Sequence, residues 1–323
     1  MSRTGSTSPD LETAKIEKVS DSIFKLGPLG NPKILCSYLM VDEKVSVIDC
    51  GPSSVIEELL VLVDGCGIRR DEIDHLLLTH VHVDHAGGTA QFLEKCKNAK
   101  AFVPRRGYKH LIDPETLNRS ANQILGKDVF GYWRKVDPVP AGKLAAVDND
   151  QTISLGKRGL KYIEATGHAP HHDILYQSET STLFAADALG IFDDQLPELR
   201  NPTSPPPSFN LDIALRDIAM IRKLNPSLIC LPHFKVVKPG VPFYEDVRTL
   251  YETWEEKLDA YILQKGLRAD SIIDAKEQHE IFSILTEAYP SYRQAPEAMR
   301  RQIIQVDIVG FAQSLLKRRR NAV

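Results

Sequence analysis

The chain has 323 residues, 42% of them hydrophobic and 26% charged, the balance of a globular protein long enough to bury a full core. A formal net charge of -3 and a pI near 6.4 exclude any bulk electrostatic attraction to nucleic acid or to an anionic membrane. The N-terminus is polar, no apolar run reaches the roughly 18 residues of a membrane span, and the five cysteines (Cys36, Cys50, Cys66, Cys96, Cys230) are widely spaced. Free thiols and a cytoplasmic location are the expectation.

Residues 1–12 are rich in Ser, Thr and Gly and are expected to be disordered. Strand character begins near Ile16 and continues through Ser22–Leu26, Ile34–Val41 and Val45–Asp49, with Asp42-Glu43-Lys44 as the turn between the last two. Ser53–Val63 places Val55, Leu59, Leu60 and Val63 at helical spacing before the Gly65-Cys66-Gly67 stop. Ile73–Thr79, with Leu76-Leu77-Leu78 at its centre, is read as a strand buried on both faces. It leads into His80-Val81-His82-Val83-Asp84-His85, and Gly87-Gly88 then opens a helix over Thr89–Cys96. Further strands are predicted at Gln151–Leu155, Leu160–Ala165, Ile174–Gln177 and Thr182–Ala186, with a loop at Thr166–Asp173. The Pro-rich residues 195–210 read as a long loop, Leu211–Leu224 as a helix, and Ser227–Leu231 as a strand ending at Pro232-His233.

Beyond Pro242 the pattern turns helical: Val247, Leu250, Tyr251, Trp254, Leu258, Tyr261 and Ile262 make an apolar stripe. Two more helical stretches follow, near 270–289 and 296–320. An α/β unit over 13–238 and an all-helical extension over 239–323 are therefore expected. The basic run Lys317-Arg318-Arg319-Arg320 reads as a solvated helix end that complements the helix dipole. Ile304, Ile308, Phe311 and Leu315 form a stripe suited either to a homodimer contact or to the body of the same chain.

Chemistry concentrates in the histidines. His80 and His82 stand two apart at a strand end, where an extended backbone aims both imidazoles to one side and at one ion. Asp84 and His85 come from the following turn, point elsewhere, and suit a second ion. A single histidine is more often a satisfied polar side chain than a ligand. Three histidines and an aspartate within six residues, following an apolar strand, are costly to desolvate without a cation. His75, His110 and His279 are given ordinary structural roles.

The run Thr79–Gly88 resembles the defining motif of the metallo-β-lactamase superfamily. Ile48-Asp49-Cys50-Gly51, Thr166-Gly167-His168-Ala169-Pro170-His171-His172, Phe184-Ala185-Ala186-Asp187 and Leu231-Pro232-His233 resemble its other motifs, in order. The resemblance implies a four-layer αββα sandwich. It implies His80, His82 and His168 on one metal, and Asp84, His85 and His233 on another, with Asp187 bridging. It further implies two divalent ions, Zn²⁺ first with Fe or Mn compatible, and a hydroxide between them as nucleophile, oriented by Asp84 as the catalytic residue. Thr79, Asp49 and His172 are candidates for orienting the ligands. Ala186 stands where the family usually has Gly, Pro232 departs from its usual Gly-His, and His171 matches no family position.

The helical extension, with Asp187-Ala-Leu-Gly-Ile-Phe192, resembles the glyoxalase II-like branch and the quinolone-signal-response thioesterases. The basic C-terminal residues that bind glutathione and the tyrosine of the lactonases are missing. A small-molecule ester, thioester or lactone substrate is expected, with no nucleic acid or membrane partner. The pocket is expected to be partly roofed by the C-terminal helices, with Tyr108, Tyr132, Trp133 and Phe192 as candidate lining residues. The alternatives are a nucleic-acid phosphodiesterase of the same fold, which the charge disfavours, a mononuclear iron dioxygenase relative needing only His80, His168 and Asp187, and a regulatory binder with a vestigial site.

Overall fold

The computed structural model describes residues 15–30, 33–192, 199–233 and 235–321; the expected disorder over 1–12 lies outside them. Strands β1 (Lys15–Lys18), β2 (Ile23–Leu29), β3 (Leu35–Val41), β4 (Val45–Ile48), β5 (Ile73–Leu77), β6 (Lys100–Pro104) and β7 (Leu144–Val147) form one sheet in that order. Its pairs are antiparallel as far as β4 and parallel beyond. Strands β8 (Thr152–Ser154), β9 (Gly159–Glu164), β10 (Asp173–Gln177) and β11 (Thr182–Phe184) begin a second sheet. It omits the small ribbon of β12 (Ile191–Phe192) and β13 (Arg200–Asn201), and continues through β14 (Leu228–Cys230) to β15 (Val236–Val237).

Strand alternation explains the layers. Leu39 on β3 and Leu76 on β5 face α1 (Ile56–Gly65) and α3 (Thr89–Lys95), in a core with Leu59 and Phe92. Their neighbours Tyr38, Met40 and Leu77 point the other way and meet Leu175 and Phe184 between the sheets. Ile174 and Leu183 then face outward from the second sheet onto α6 (Leu211–Leu224). The result is the expected αββα sandwich.

The outer core continues into the C-terminal helices α7 (Val241–Lys265), α8 (Ala275–Ala288), α9 (Ser291–Gln294), α10 (Glu297–Gln302) and α11 (Ile308–Asn321). Trp254, Tyr292 and Phe311 are fully buried in the cluster that holds Ile174 and Leu183. The change near residue 239 is thus one of secondary structure and not of core. Ile308, Phe311 and Leu315 are buried in this same cluster, whereas Ile304 is half-buried outside it, so three of the four stripe residues pack on their own chain. The basic run departs from a solvated end as well. Arg318 pairs with Asp212 at 3.1 Å and with Glu255, and Arg319 with Asp259 at 2.7 Å, which ties α11 to α6 and α7.

The segment 97–150, given no element above, holds β6, α4 (Tyr108–Ile112), α5 (Glu115–Trp133) and β7. Periodicity is weak in α5 because Gly126 breaks it (φ 75°). The strand predicted to reach Thr79 ends at Leu77, and the helix seen from Val247 starts at Val241, with proline in its first turn.

Between α10 and α11 a π-turn, Ile303–Asp307, carries the chain past the loop 203–206. Close approach follows: a Cβ on Gly310 would sit 1.8 Å from the Ser204 carbonyl oxygen. Gly310→Ala is therefore expected to destabilise by roughly 1–3 kcal/mol through overpacking, more than the ~1 kcal/mol that alanine's helix propensity returns. Urea denaturation checks this; an unchanged or higher midpoint would contradict the close approach.

Candidate metal centre

Strands β5, β9, β11 and β14 end at one edge of the sandwich, and the loops leaving them deliver the polar cluster. His80 and His82 follow β5, Asp84 and His85 lie in the one-turn helix α2 (Val83–Ala86), His168 follows β9, Asp187 follows β11, and His233 follows β14. The His85 carbonyl accepts from the backbone N–H groups of Cys50 and Gly51 (2.9 and 3.0 Å), which pins α2 to the end of β4. Gly87 and Gly88 allow this packing, since a Cβ on either would fall 2.4 Å from Val83 or Ile56.

Seven predicted positions converge in two groups. The ligating atoms of His80, His82, His168 and Asp187 lie within 4.8 Å of one another, as do those of Asp84, His85 and His233. His82 Nδ1 lies 3.1 Å from His80 Nε2 and 2.9 Å from His168 Nε2. Asp187 stands between the groups, 3.3 Å from His168 Nε2 and 3.4 Å from His233 Nε2.

The outward ring nitrogens are held in turn. Asp49 accepts from Thr79 through its backbone N–H and hydroxyl (2.8 and 2.7 Å), and lies 2.9 Å from His85 Nδ1. The Thr79 hydroxyl is 3.1 Å from His80 Nδ1. His168 Nδ1 meets the Thr203 carbonyl at 3.0 Å and His233 Nδ1 the Ile34 carbonyl at 3.1 Å. A carbonyl only accepts, so Nδ1 carries the proton and Nε2 offers its lone pair inward. His172 Nε2 accepts from the Asp187 backbone N–H (3.1 Å). Thr203 and Ile34 were not foreseeable from sequence, because every residue has a carbonyl.

These donors fit a cation. His85 Nε2 and Asp187 Oδ1 are buried without a well-formed hydrogen bond, a costly state that a metal ion relieves. Burial holds His80 and His82 well below the ordinary imidazole range, as neutral ligands must be, and holds His172 beside them there too, as an acceptor of the Asp187 N–H must be. His85 is held above that range: burial opposes its charge, but the Asp187 and Asp84 carboxylates prevail.

Above the cluster opens a cavity of about 400 Å³, walled by α5, the loop 203–208 and the segment from α10 through the π-turn. Trp133 lines it, whereas Tyr108, Tyr132 and Phe192 do not, and His110 and His171, read above as structural or unmatched, also reach it. The C-terminal helices thus form one wall. They also hold the site from outside: Asp307 in the π-turn accepts from the Asn201 side chain (2.7 Å) and from the Ser204 N–H (2.9 Å). Between those two residues, Thr203 holds His168, and its hydroxyl donates to the Asp187 carbonyl (2.5 Å).

A model of the metallo-β-lactamase superfamily matches residues 34–233, and the chain belongs to that superfamily. A metallo-β-lactamase fold-containing protein, ST1585 of Sulfurisphaera tokodaii, is 28% identical over 220 residues, covering 67% of this chain and 78% of that one. A beta-lactamase-like protein 2 homolog of Caenorhabditis elegans is 23% identical, covering 88% and 81%. Rubredoxin-oxygen oxidoreductase of Megalodesulfovibrio gigas is 27% identical, over 54% of this chain and 39% of its own. The crystal structure of ST1585 superposes with a TM-score of 0.64 at 23% identity, over 91% of this chain and all of that one.

Two features of the site invite measurement. Ala186, in the family's usual glycine position, has φ 43°, a left-handed conformation costly for a residue with a Cβ. Ala186→Gly should therefore raise the unfolding free energy by about 0.5–1 kcal/mol, after allowing for glycine's extra unfolded-state entropy; a drop in denaturation midpoint would refute the strain. Burial raises Asp307 from 3.8 to about 7. A raised carboxyl favours folding below its unfolded value, and that stability is lost as pH rises through the folded value. Asp307→Asn turns one of the two accepting oxygens into a donor facing Asn201 or Ser204. It should therefore be less stable than the wild type near pH 4, and the gap should narrow as pH rises toward 7 and the wild-type carboxyl must ionise. Parallel pH profiles for the two proteins would contradict this.

Proposed function

We propose that this chain is a metal-dependent hydrolase of a small ester, thioester or lactone, built on two divalent ions with Zn²⁺ as the first expectation. The observation that supports it most is the complete set of seven His and Asp donors, of which His82, Asp84, His168, Asp187 and His233 line the floor of a cavity of ligand size. His80, His82 and His168 would hold one ion and Asp84, His85 and His233 the other, with Asp187 between them. When bound, such ions supply a water of lowered pKa and polarise the oxygen under attack.

The chain's own residues divide the remaining work. Both Asp84 and Asp187 meet cluster and cavity, and Asp84, with 18% side-chain exposure against 5% for Asp187, is the more open of the two. Its free carboxylate oxygen orients the attacking water and holds the water's proton for the leaving oxygen or sulfur. Asp49, Thr79 and the Thr203 and Ile34 carbonyls keep the imidazoles aimed inward. The apolar cavity excludes bulk water from the reacting carbonyl.

A helical wall on the pocket supports placement beside the glyoxalase II-like and quinolone-signal-response thioesterase branch. Five free cysteines agree with a cytoplasmic location, and no helix among the described residues is long and apolar enough to cross a membrane. A second reading, an iron-dependent oxidoreductase, draws support from two relatives named rubredoxin-oxygen oxidoreductase and nitric oxide reductase.

Metal analysis with a hydrolase screen separates the readings. Wild type should carry two divalent ions per chain and turn over a carboxylic ester, thioester or lactone. Asp84→Asn should lower kcat by about 10²–10⁴. Iron with oxygen consumption, or activity confined to phosphodiesters, would displace the hydrolase proposal.

A further inference from the structure

The hydrolase reading leaves the substrate's remainder unspecified, and the cavity wall bears on it. On α5, Leu117, Ala121 and Ile124 line the cavity at the i, i+4, i+7 spacing of one helix face, and Val129 lines it from beyond the break at Gly126. Met299 and Val306 line it from the opposite wall. Ordinarily such a face is buried against a partner element. Here Leu117, Ile124 and Val129 are only half-buried: Leu117 and Val129 pack partly against the core of the first sheet, and all three present remaining surface to the cavity. Apolar surface left in this state is unfavourable until something apolar covers it.

Size points the same way. A cavity of about 400 Å³ lies within the range that buries a drug-sized ligand, far more than an acetyl group would fill. The donors His82, Asp84, His168, Asp187 and His233 collect at the floor, and Arg106, Arg301, Gln302 and Gln305 add polar groups to the walls. The same walls carry the apolar side chains of α5, Met299 and Val306, so a band of apolar surface adjoins the donors, the layout for a carbonyl with a hydrocarbon tail.

We propose that the cavity is an acyl subsite and that the substrate is an ester or thioester of a medium-chain fatty acid, its tail lying between α5 and the π-turn. The position of the carbonyl rests on the hydrolase reading; the position of the tail does not. In the reaction the carbonyl carbon gains a bond to the oxygen of water, and its bond to the leaving oxygen or sulfur breaks. One water proton goes to the leaving group, the other is released to solvent, and the fatty acid is left as its carboxylate in the same cavity.

Binding and turnover test this separately. Calorimetry on the metal-loaded protein with acetate, hexanoate and decanoate should show affinity rising by up to about fourfold per buried methylene, and by at least about a hundredfold across the series. For p-nitrophenyl acetate, hexanoate and decanoate, kcat/KM should rise in the same order. Ala121→Trp fills the cavity and Ile124→Asp places a charge in it; each should lower the decanoate-to-acetate ratio at least tenfold, with circular dichroism confirming the fold. Two such variants keep the test valid if one fails to fold.

Equal binding of acetate and decanoate, or a ratio unmoved in either folded variant, would overturn the acyl subsite. Chain-length-independent ester turnover without decanoate binding would overturn it while leaving the hydrolase reading intact. Tight decanoate binding that the variants abolish, with no turnover of any ester, would support the subsite and defeat the hydrolase reading.

Discussion

Burying seven cation-seeking side chains at one edge of a sandwich is unfavourable unless their electron pairs find a common partner. Neutral imidazoles only about 3 Å apart, as His82 and His168 are, cannot all serve one another as donor and acceptor. Each carboxylate in such a place would also repel its neighbour without a cation between them. Much of the local architecture follows from this constraint. Strand ends are aligned to present the donors, backbone carbonyls fix the ring tautomers, and Gly87-Gly88 lets α2 fold back against β4. Left-handed φ angles at Asp49 and Ala186 show backbone strain stored beside the same cluster.

The C-terminal helices belong to that arrangement. Through Asp307 they clamp the loop that contains Thr203, and Thr203 touches both His168 and Asp187. Their apolar faces share a core with the second sheet, and their basic end is paired to α6 and α7. A segment that looks appended in sequence is thus continuous with the body and forms a wall of the site. This couples substrate recognition to ligand positioning: the π-turn that borders the cavity also carries the carboxylate that holds the loop.

Much of the site was legible because its information is local. His80, His82, Asp84 and His85 lie within one short run, and their chemistry announces a cation before any fold is known. His168, Asp187 and His233 are separated in sequence and became assignable through motifs in order. The cavity was much less legible. The helical period of α5 is short, because Gly126 breaks the helix between Ile124 and Val129. His110 and His171 stand in contexts that give no hint of a shared cavity.

The sequence by itself determined the α/β unit, the helical extension and the local donor cluster at 80–85, because apolar periodicity and clustered imidazoles constrain structure over a few residues. Its motifs in order carried the resemblance that implied the sandwich and the distant donors. Tertiary structure alone decided what the C-terminal stripe buries, which carbonyls orient His168 and His233, and how wide the space above them is. Those properties depend on distances between segments up to 199 residues apart, as with Ile34 and His233. Every residue offers the same carbonyl, and only the packed chain selects which one lies beside the ring.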